Sequence, residues 1–234
     1  MTHDYYQLPQ GKVRLLRQYT PFPPLQDALL EPNGLIAIGG DLTAQRLISA
    51  YCKGIFPWYS EDEPILWWSP NPRMVLFPDE LKIANSLKKV IKQTRFEIRI
   101  NTAFEQVIRA CSNAPRPNQT GTWISEDIVQ AYTHLHQLGY AMSVESWQDH
   151  VLVGGCYGVK IGQMFYGESM FYHVADASKV AFVHLVEHLK AQGVGMIDCQ
   201  MKTSLLASFG GHEIPRQDFI NTLTTLIKPA YDLT

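Results

Sequence analysis

The sequence predicts an α+β protein: a small N-terminal domain followed by a larger domain built on a mixed sheet flanked by helices. Three observations carry that expectation. Leu152 to Phe171 reads as two adjacent strands, with a tight turn at Val159-Lys160-Ile161-Gly162-Gln163, where a polar, glycine-containing centre separates two apolar arms. Ser178 to Gln192 reads as a helix whose Phe182, Leu185, Val186 and Leu189 fall at the spacing of one buried stripe, stopped by Gly193 and Gly195. Prolines at 70, 72 and 78 break the chain near residue 74, which divides it into 1–74 and 75–234.

The elements follow in order. After a loose start, Pro21 to Pro24 is proline-rich, Gln26 to Glu31 can hold a short helix, and Pro32-Asn33-Gly34 turns the chain. Leu35 to Ile38 is a strand; Gly39-Gly40 leads to Asp41 and a helix from Thr43 to Lys53, ended by Gly54. Three tryptophans then stand among prolines, Trp58 in a loop and Trp67-Trp68 in an apolar run, making a stiff aromatic platform. Trp67 and Trp68 read as a small core, whereas Trp58, beside glycine and proline, is better placed to stack on a ligand base. Beyond residue 74 come a helix (83–93), a strand (Phe96 to Ile100), a helix (Ala103 to Cys111), the loop Asn113 to Gly121 and a helix (Glu126 to Leu138). Trp123 lies beside the start of that last helix, where free amide donors can meet a phosphate or carboxylate. A short helix after Thr203, a turn at Gly210-Gly211 and a helix from Gln217 close the chain.

Within the larger domain, Tyr140 to Trp147 is a strand before the hairpin, and Met196 to Gln200 is a strand after the helix. Strand, strand, strand, helix, strand is the core order of the acetyltransferase-type (GNAT) fold, whose strands splay around a cleft. On the second hairpin arm Glu168 stands among Met164, Phe165, Tyr166 and Met170. A carboxylate in such surroundings loses solvation, so it needs a partner, a raised pKa or a task at a cleft. Strict alternation along Met196 to Gln200 puts Asp198 and Gln200 on one face, an acid beside an amide.

Composition limits the functional classes. The 234 residues suffice for a full core, and 46% hydrophobic with 18% charged residues is ordinary for a soluble globular chain. A net charge of −2 does not announce a nucleic-acid binder. Lys82 to Arg99 nevertheless holds six cations, including Lys88, Lys89 and Lys92, against Glu97 alone. That block reads equally as a solvated helix face or a phosphate-binding patch. Cys52, Cys111, Cys156 and Cys199 form no C-x-x-C pair and read as reduced thiols of an intracellular protein. Neither a signal peptide nor an apolar run of membrane-spanning length is seen, so a cytoplasmic protein is expected and the Asn118 sequon carries no meaning.

Two motifs invite chemistry that their context denies. His184-Leu185-Val186-Glu187-His188 matches an inverted zinc-protease pattern, but the apolar stripe faces the other way, so both histidines and Glu187 are expected in solvent without a third ligand. His134 and His136 are likewise read as surface residues. Acetyl-CoA binding would need a glycine-containing loop before the long helix, and Phe171 to Ala177 offers none, with Asp176 where an anion would sit.

Six blocks are together highly specific: E-P-N-G-L-I-A-I-G-G-D-L (31–42), G-I-F-P-W (54–58), I-L-W-W-S-P (65–70), G-T-W-I (121–124), G-E-S-M-F (167–171) and I-D-C-Q (197–200). Through them the chain resembles the leucyl/phenylalanyl-tRNA–protein transferases. The resemblance implies a small N-terminal domain on a GNAT-like catalytic domain, related to the peptidoglycan-bridge aminoacyl transferases, with no cofactor and no metal. It implies transfer of leucine or phenylalanine from leucyl-tRNA or phenylalanyl-tRNA to proteins with N-terminal Arg or Lys, creating an N-degron, by a monomer. By matching motif, Trp58 and Trp123 would hold the 3′-terminal adenosine, with Tyr51 and Tyr132 near it. Cys156, Phe165, Phe182, Leu185 and Ile197 would line the pocket for the amino-acid side chain. Glu168, Asp198 and Gln200 would sit at the reaction centre, Asp198 accepting the amine proton or holding the amine and Glu168 pairing with the acceptor's cationic side chain. Placing Phe165 and Glu168 in one cleft requires a break in alternation, expected at Tyr166-Gly167. Two alternatives stay open: a CoA-dependent N-acyltransferase, and a non-catalytic RNA-binding module.

Overall fold

The computed structural model describes residues 4–114 and 122–231; Met1 to His3, the Asn118 sequon and Gly121 lie outside them. The chain runs β1 (Tyr5–Leu8), β2 (Gly11–Leu16), β3 (Leu35–Gly39), α1 (Ala44–Tyr51), β4 (Phe56–Pro57), β5 (Leu66–Trp68) and β6 (Arg73–Leu76). It continues through α2 (Asn85–Lys92), β7 (Glu97–Ile100), α3 (Phe104–Ser112), α4 (Glu126–Gln137), β8 (Ala141–Gln148), β9 (Val151–Ile161) and β10 (Met164–Tyr172). It ends with α5 (Ala177–Ala191), β11 (Met196–Gln200), α6 (Ser204–Ser208), β12 (His212–Ile214) and α7 (Arg216–Tyr231).

Two sheets result. The small one has the order β1-β2-β3-β5-β4, and the large one β12-β6-β11-β10-β9-β8-β7. β8, β9 and β10 form the expected antiparallel meander, turning at Gly162-Gln163. α5 then crosses over so that β11 lies parallel to β10, the connection a parallel neighbour requires.

Several local features differ from expectation. The loose start is a β1–β2 hairpin, and the helix expected at 26–31 is one 3₁₀ turn, Leu25–Asp27, because Ala28 is already extended. β6 belongs to the large sheet, so the expected boundary at 74 falls inside a strand; the chain passes between sheets at 69–72. α5 is buried well beyond one stripe, with Val180, Ala181 and Val183 enclosed as well, since the sheet and α2 both pack on it.

The large sheet has two covered faces. Met74, Val144, Cys156, Phe165 and Ile197 meet α5 and α2 on one side. On the other, Val159, Met164 and Tyr166 share one core with α3, α4, α7, Leu47 of α1 and the small sheet's Ile36 and Trp67. The small sheet is therefore packed against the larger sheet rather than tethered beside it. Among the described residues no helix is long and apolar enough to cross a membrane.

Candidate active site

The site forms where the parallel pair of the large sheet comes apart. β10 and β11 are in register from Met164/Met196 to Tyr166/Asp198 and then diverge. On the far side of β10 the register with β9 shifts between Gly167 and Ser169, leaving Glu168 as the extra residue. On β11 the register with β6 shifts between Asp198 and Gln200, where Gln200 takes a left-handed φ of 59°. Both shifts fall in the cleft.

The first shift aims the half-buried Glu168 at three donors. Tyr51 of α1 donates to Oε1 at 2.7 Å, Tyr132 of α4 to Oε2 at 3.4 Å, and the Gln200 side-chain amide to Oε1 at 3.2 Å. The two tyrosine hydroxyls also bond each other, and the Tyr166 hydroxyl donates to the Tyr51 carbonyl at 2.9 Å. Burial pushes the Glu168 carboxyl up to about 7, the Asp198 charge adding to the rise and the three donors opposing it. Burial likewise raises both tyrosines well above their ordinary 10.

The second shift separates Asp198 from Gln200. Asp198 is fully buried, its Oδ1 accepting from Arg73 Nε at 2.8 Å and its Oδ2 from an Arg73 Nη at 2.6 Å. Asp198 Oδ1 also accepts the Gln200 backbone N–H at 2.9 Å. The expected acid beside amide is thus corrected: Gln200 faces the cleft, and Asp198 faces Arg73.

Between the diverging strands lies a cavity of about 440 Å³, within the range of about 300–1,000 Å³ usual for small-molecule sites. Trp58 and Trp123 line one side, while Cys156, Phe182, Leu185 and Ile197 form an apolar wall and Glu168 and Gln200 a polar one. Trp58 is held from behind by Trp68, whose indole N–H donates to the Trp58 carbonyl at 2.6 Å. Trp67 is a core residue, but Trp68 is only half-buried.

Three other expectations are corrected. Phe165 does not line the cavity; its ring covers Gly158 in the core beneath α5, and a Cβ on that glycine would lie 2.5 Å from it. Tyr51 and Tyr132 stand behind Glu168 rather than on the cavity wall. The break in alternation lies one step beyond Tyr166-Gly167, and Gly167 is not left-handed; a Cβ there would meet nothing nearer than the Asp198 carbonyl at 3.7 Å.

Residues that the sequence did not assign to the site also line the cavity, among them Met170, Cys199, Leu205 and Leu206. Nothing distinguishes the two leucines in sequence, but Arg73 at the head of an apolar Arg-Met-Val-Leu run required a buried partner. Lys88, Lys89 and Lys92 are exposed on α2, with Leu87 buried behind them. Arg99 from the same block is paired with Glu97 and lies over Trp147. His184 is half-buried against the Val180 carbonyl rather than in solvent, and His136 stacks on Phe104. Among the described residues no group of three or more His, Cys, Asp or Glu is placed to hold a metal.

A sheet split at its parallel pair, with a carboxylate and an amide on the diverging strands beside an apolar cavity, gives a GNAT-like fold with a candidate site at the split. Residues 75–224 match the family model for leucyl/phenylalanyl-tRNA protein transferase, and residues 40–71 match that for its N-terminal domain. The chain belongs to the leucyl/phenylalanyl-tRNA–protein transferase family. It is 60% identical over 214 residues to the protein of that name from Nitrosomonas eutropha, covering 92% of this chain and 91% of the relative. It is 59% identical over 202 residues to the one from Chromobacterium violaceum, covering 86% of each. Among solved structures, L-PGS from Bacillus licheniformis aligns with a TM-score of 0.45 at 10% identity over 79% of this chain and 70% of that one. A GCN5-related N-acetyltransferase from Kribbella flavida aligns at 0.36 and 9% identity, over 71% and 59%. At those scores the fold rests on the topology described above.

Proposed function

We propose that the chain moves leucine or phenylalanine from the 3′ end of leucyl-tRNA or phenylalanyl-tRNA to the α-amine of a protein beginning with Arg or Lys. It acts as a cytoplasmic monomer, and the new N-terminus is an N-degron. The names of the relatives support the donor and acceptor classes, and the Arg or Lys preference follows the family resemblance. One observation supports the chemistry above all: Glu168 stands at the cavity wall, fastened by three donors, between a pair of tryptophans and an apolar pocket.

In this mechanism the apolar wall of Cys156, Phe182, Leu185 and Ile197 takes the leucine or phenylalanine side chain, while Trp58 and Trp123 take the adenosine. The ester carbonyl then lies beside Glu168 and Gln200. An N-terminal α-amine has an ordinary pKa of about 7.7–8.0, so a useful fraction is neutral near pH 7. It attacks the ester carbonyl, forming the C–N bond and losing a proton as the C–O bond to the ribose breaks. With a carboxyl near 7, Glu168 is matched to accept that proton and return it to the departing ribose oxygen. Gln200 holds Glu168 in place, and orientation of amine against ester supplies up to roughly 7–11 kcal/mol of the barrier reduction. Asp198, enclosed with Arg73, is a supporting group rather than the base.

Incubation with radiolabelled leucyl-tRNA and an arginine-starting peptide tests this, with acetyl-CoA as the competing donor. Labelled peptide from leucyl-tRNA alone is expected. Acetylation without leucyl transfer would favour the CoA-dependent enzyme, and tRNA binding without transfer the RNA-binding module.

A further inference from the structure

Arg73 is a long, charged side chain with no surface exposure, and its guanidinium lies 4.8 Å from the centroid of Phe56 and 4.6 Å from that of Phe219. Burying a guanidinium is costly unless its partner is well aligned, and the paired bonds to Asp198 supply that alignment. The pair does more than neutralise itself. The same Asp198 oxygen that takes Arg73 Nε also takes the backbone N–H of Gln200, the left-handed residue of β11. Side-chain-bearing residues disfavour that conformation, so it persists where its surroundings hold it. From that turn the Gln200 amide reaches Glu168.

We propose that Arg73 is a positioning residue for aminoacyl transfer: through Asp198 it holds the Gln200 turn, and through that turn it sets the amide that fixes Glu168 in the cleft. The proposal rests on the reading of Glu168 and Gln200 as groups of the reaction centre. Arg73 itself does not line the cavity; it acts from the far side of β11, clamped by one ring from β4 and one from α7. A pair serving only to tie β6 to β11 would lower stability on removal and leave turnover of the folded enzyme unchanged. A positioning pair changes turnover, and does so only while Gln200 has an amide to position.

A double-mutant cycle separates these roles. Arg73→Lys keeps the charge but cannot reproduce the forked contact with both Asp198 oxygens. In the otherwise native enzyme, Arg73→Lys is expected to lower kcat for transfer from phenylalanyl-tRNA about tenfold, equivalent to about 1.4 kcal/mol. Its KM for phenylalanyl-tRNA should stay within about twofold, because the cavity lining is untouched. In a Gln200→Ala background the same substitution should change kcat by less than about twofold, the range expected when the group it acts through is gone. Thermal unfolding confirms that each variant is folded at the assay temperature. Should Arg73→Lys not fold, Phe219→Leu loosens the clamp without touching charge or cavity, and about a threefold loss that vanishes in the Gln200→Ala background carries the same meaning. Losses that multiply across the cycle would overturn the role of Arg73 and leave that of Gln200 standing. An unchanged kcat for Gln200→Ala alone would instead overturn the reading beneath it.

Discussion

Replacing Glu168 with glutamine should make the protein more stable at alkaline pH while removing most of its activity. In the folded chain the carboxyl is pushed from its ordinary 4.5 up to about 7, burial being the largest cause. In the unfolded chain it ionises at its ordinary value. The folded state therefore holds the proton more tightly, and the native enzyme loses stability as pH rises from about 4.5 through about 7. The penalty is absent below that window and complete above it. At about 1.4 kcal/mol per pH unit it reaches roughly 2–3 kcal/mol, the lower figure allowing for screening through the open side of the cavity. Glutamine keeps an oxygen for Tyr51 and Gln200 and carries no charge at any pH. Urea unfolding of both proteins at about pH 5 and about pH 8 measures the difference, since the slope reports whether the unfolded states match. The stability advantage of Glu168→Gln should grow by about 2–3 kcal/mol between the two pH values, with kcat reduced about 10²–10⁴-fold if the carboxylate is the proton acceptor. An advantage that does not change with pH would show that Glu168 ionises normally, and the assignment as a base tuned near neutrality would fall.

Three further outcomes follow from the cavity and its approaches. Trp58→Ala and Trp123→Ala should each raise KM for aminoacyl-tRNA and weaken puromycin binding, because stacking on a base is worth about 1–3 kcal/mol; normal puromycin affinity in both would assign the indoles to packing alone. Replacing Lys88, Lys89 and Lys92 by alanine should weaken tRNA binding and lower the slope of log affinity against log salt by about 2–3, as three phosphate contacts are lost. An unchanged slope would make that helix face merely solvated. Gly167→Val should abolish transfer while shifting the unfolding temperature by only a few degrees, roughly 1 kcal/mol or less, since its Cβ has room at 3.7 Å and its side chain enters the cavity. Equal losses of stability and activity would mean that the glycine serves the strand.

The catalytic half was legible because its periods are long. β8, β9, β10, α5 and β11 each carry enough apolar residues to declare a strand or a helix, and Gly162 marks the hairpin. β1 and β2 were not legible, since only Val13 and Leu16 are buried on them, Tyr5 and Tyr6 are exposed, and glutamine, lysine and arginine are interspersed. β6 was hidden by Pro70 and Pro72, which mark a break without saying that a sheet strand starts immediately after it. The aromatic and apolar lining came from local blocks such as G-I-F-P-W, where type and neighbourhood already suggest a ligand surface. The facing of Asp198, Gln200 and Phe165 did not, because strict alternation fails at two register shifts that leave no compositional trace.

Those shifts also explain why the site cannot be divided along the sequence. Tyr51, Arg73, Tyr132, Glu168, Asp198 and Gln200 are each polar residues in apolar surroundings, and each therefore demanded a partner. What one chain position cannot reveal is that the demands close on one another: Arg73 on Asp198, Asp198 on Gln200, Gln200 and both tyrosines on Glu168. Two of the six come from the first 74 residues. Without Arg73 the carboxylate of Asp198 would be a buried charge with no counter-ion, and without Tyr51 Glu168 would lose the shortest of its three bonds. The small sheet shares the core of α3, α4 and α7 for the same reason that it shares the site. Its packing holds α1 and β6 at the positions from which Tyr51 and Arg73 reach across to the splayed strands, so the N-terminal segment helps to build the candidate site.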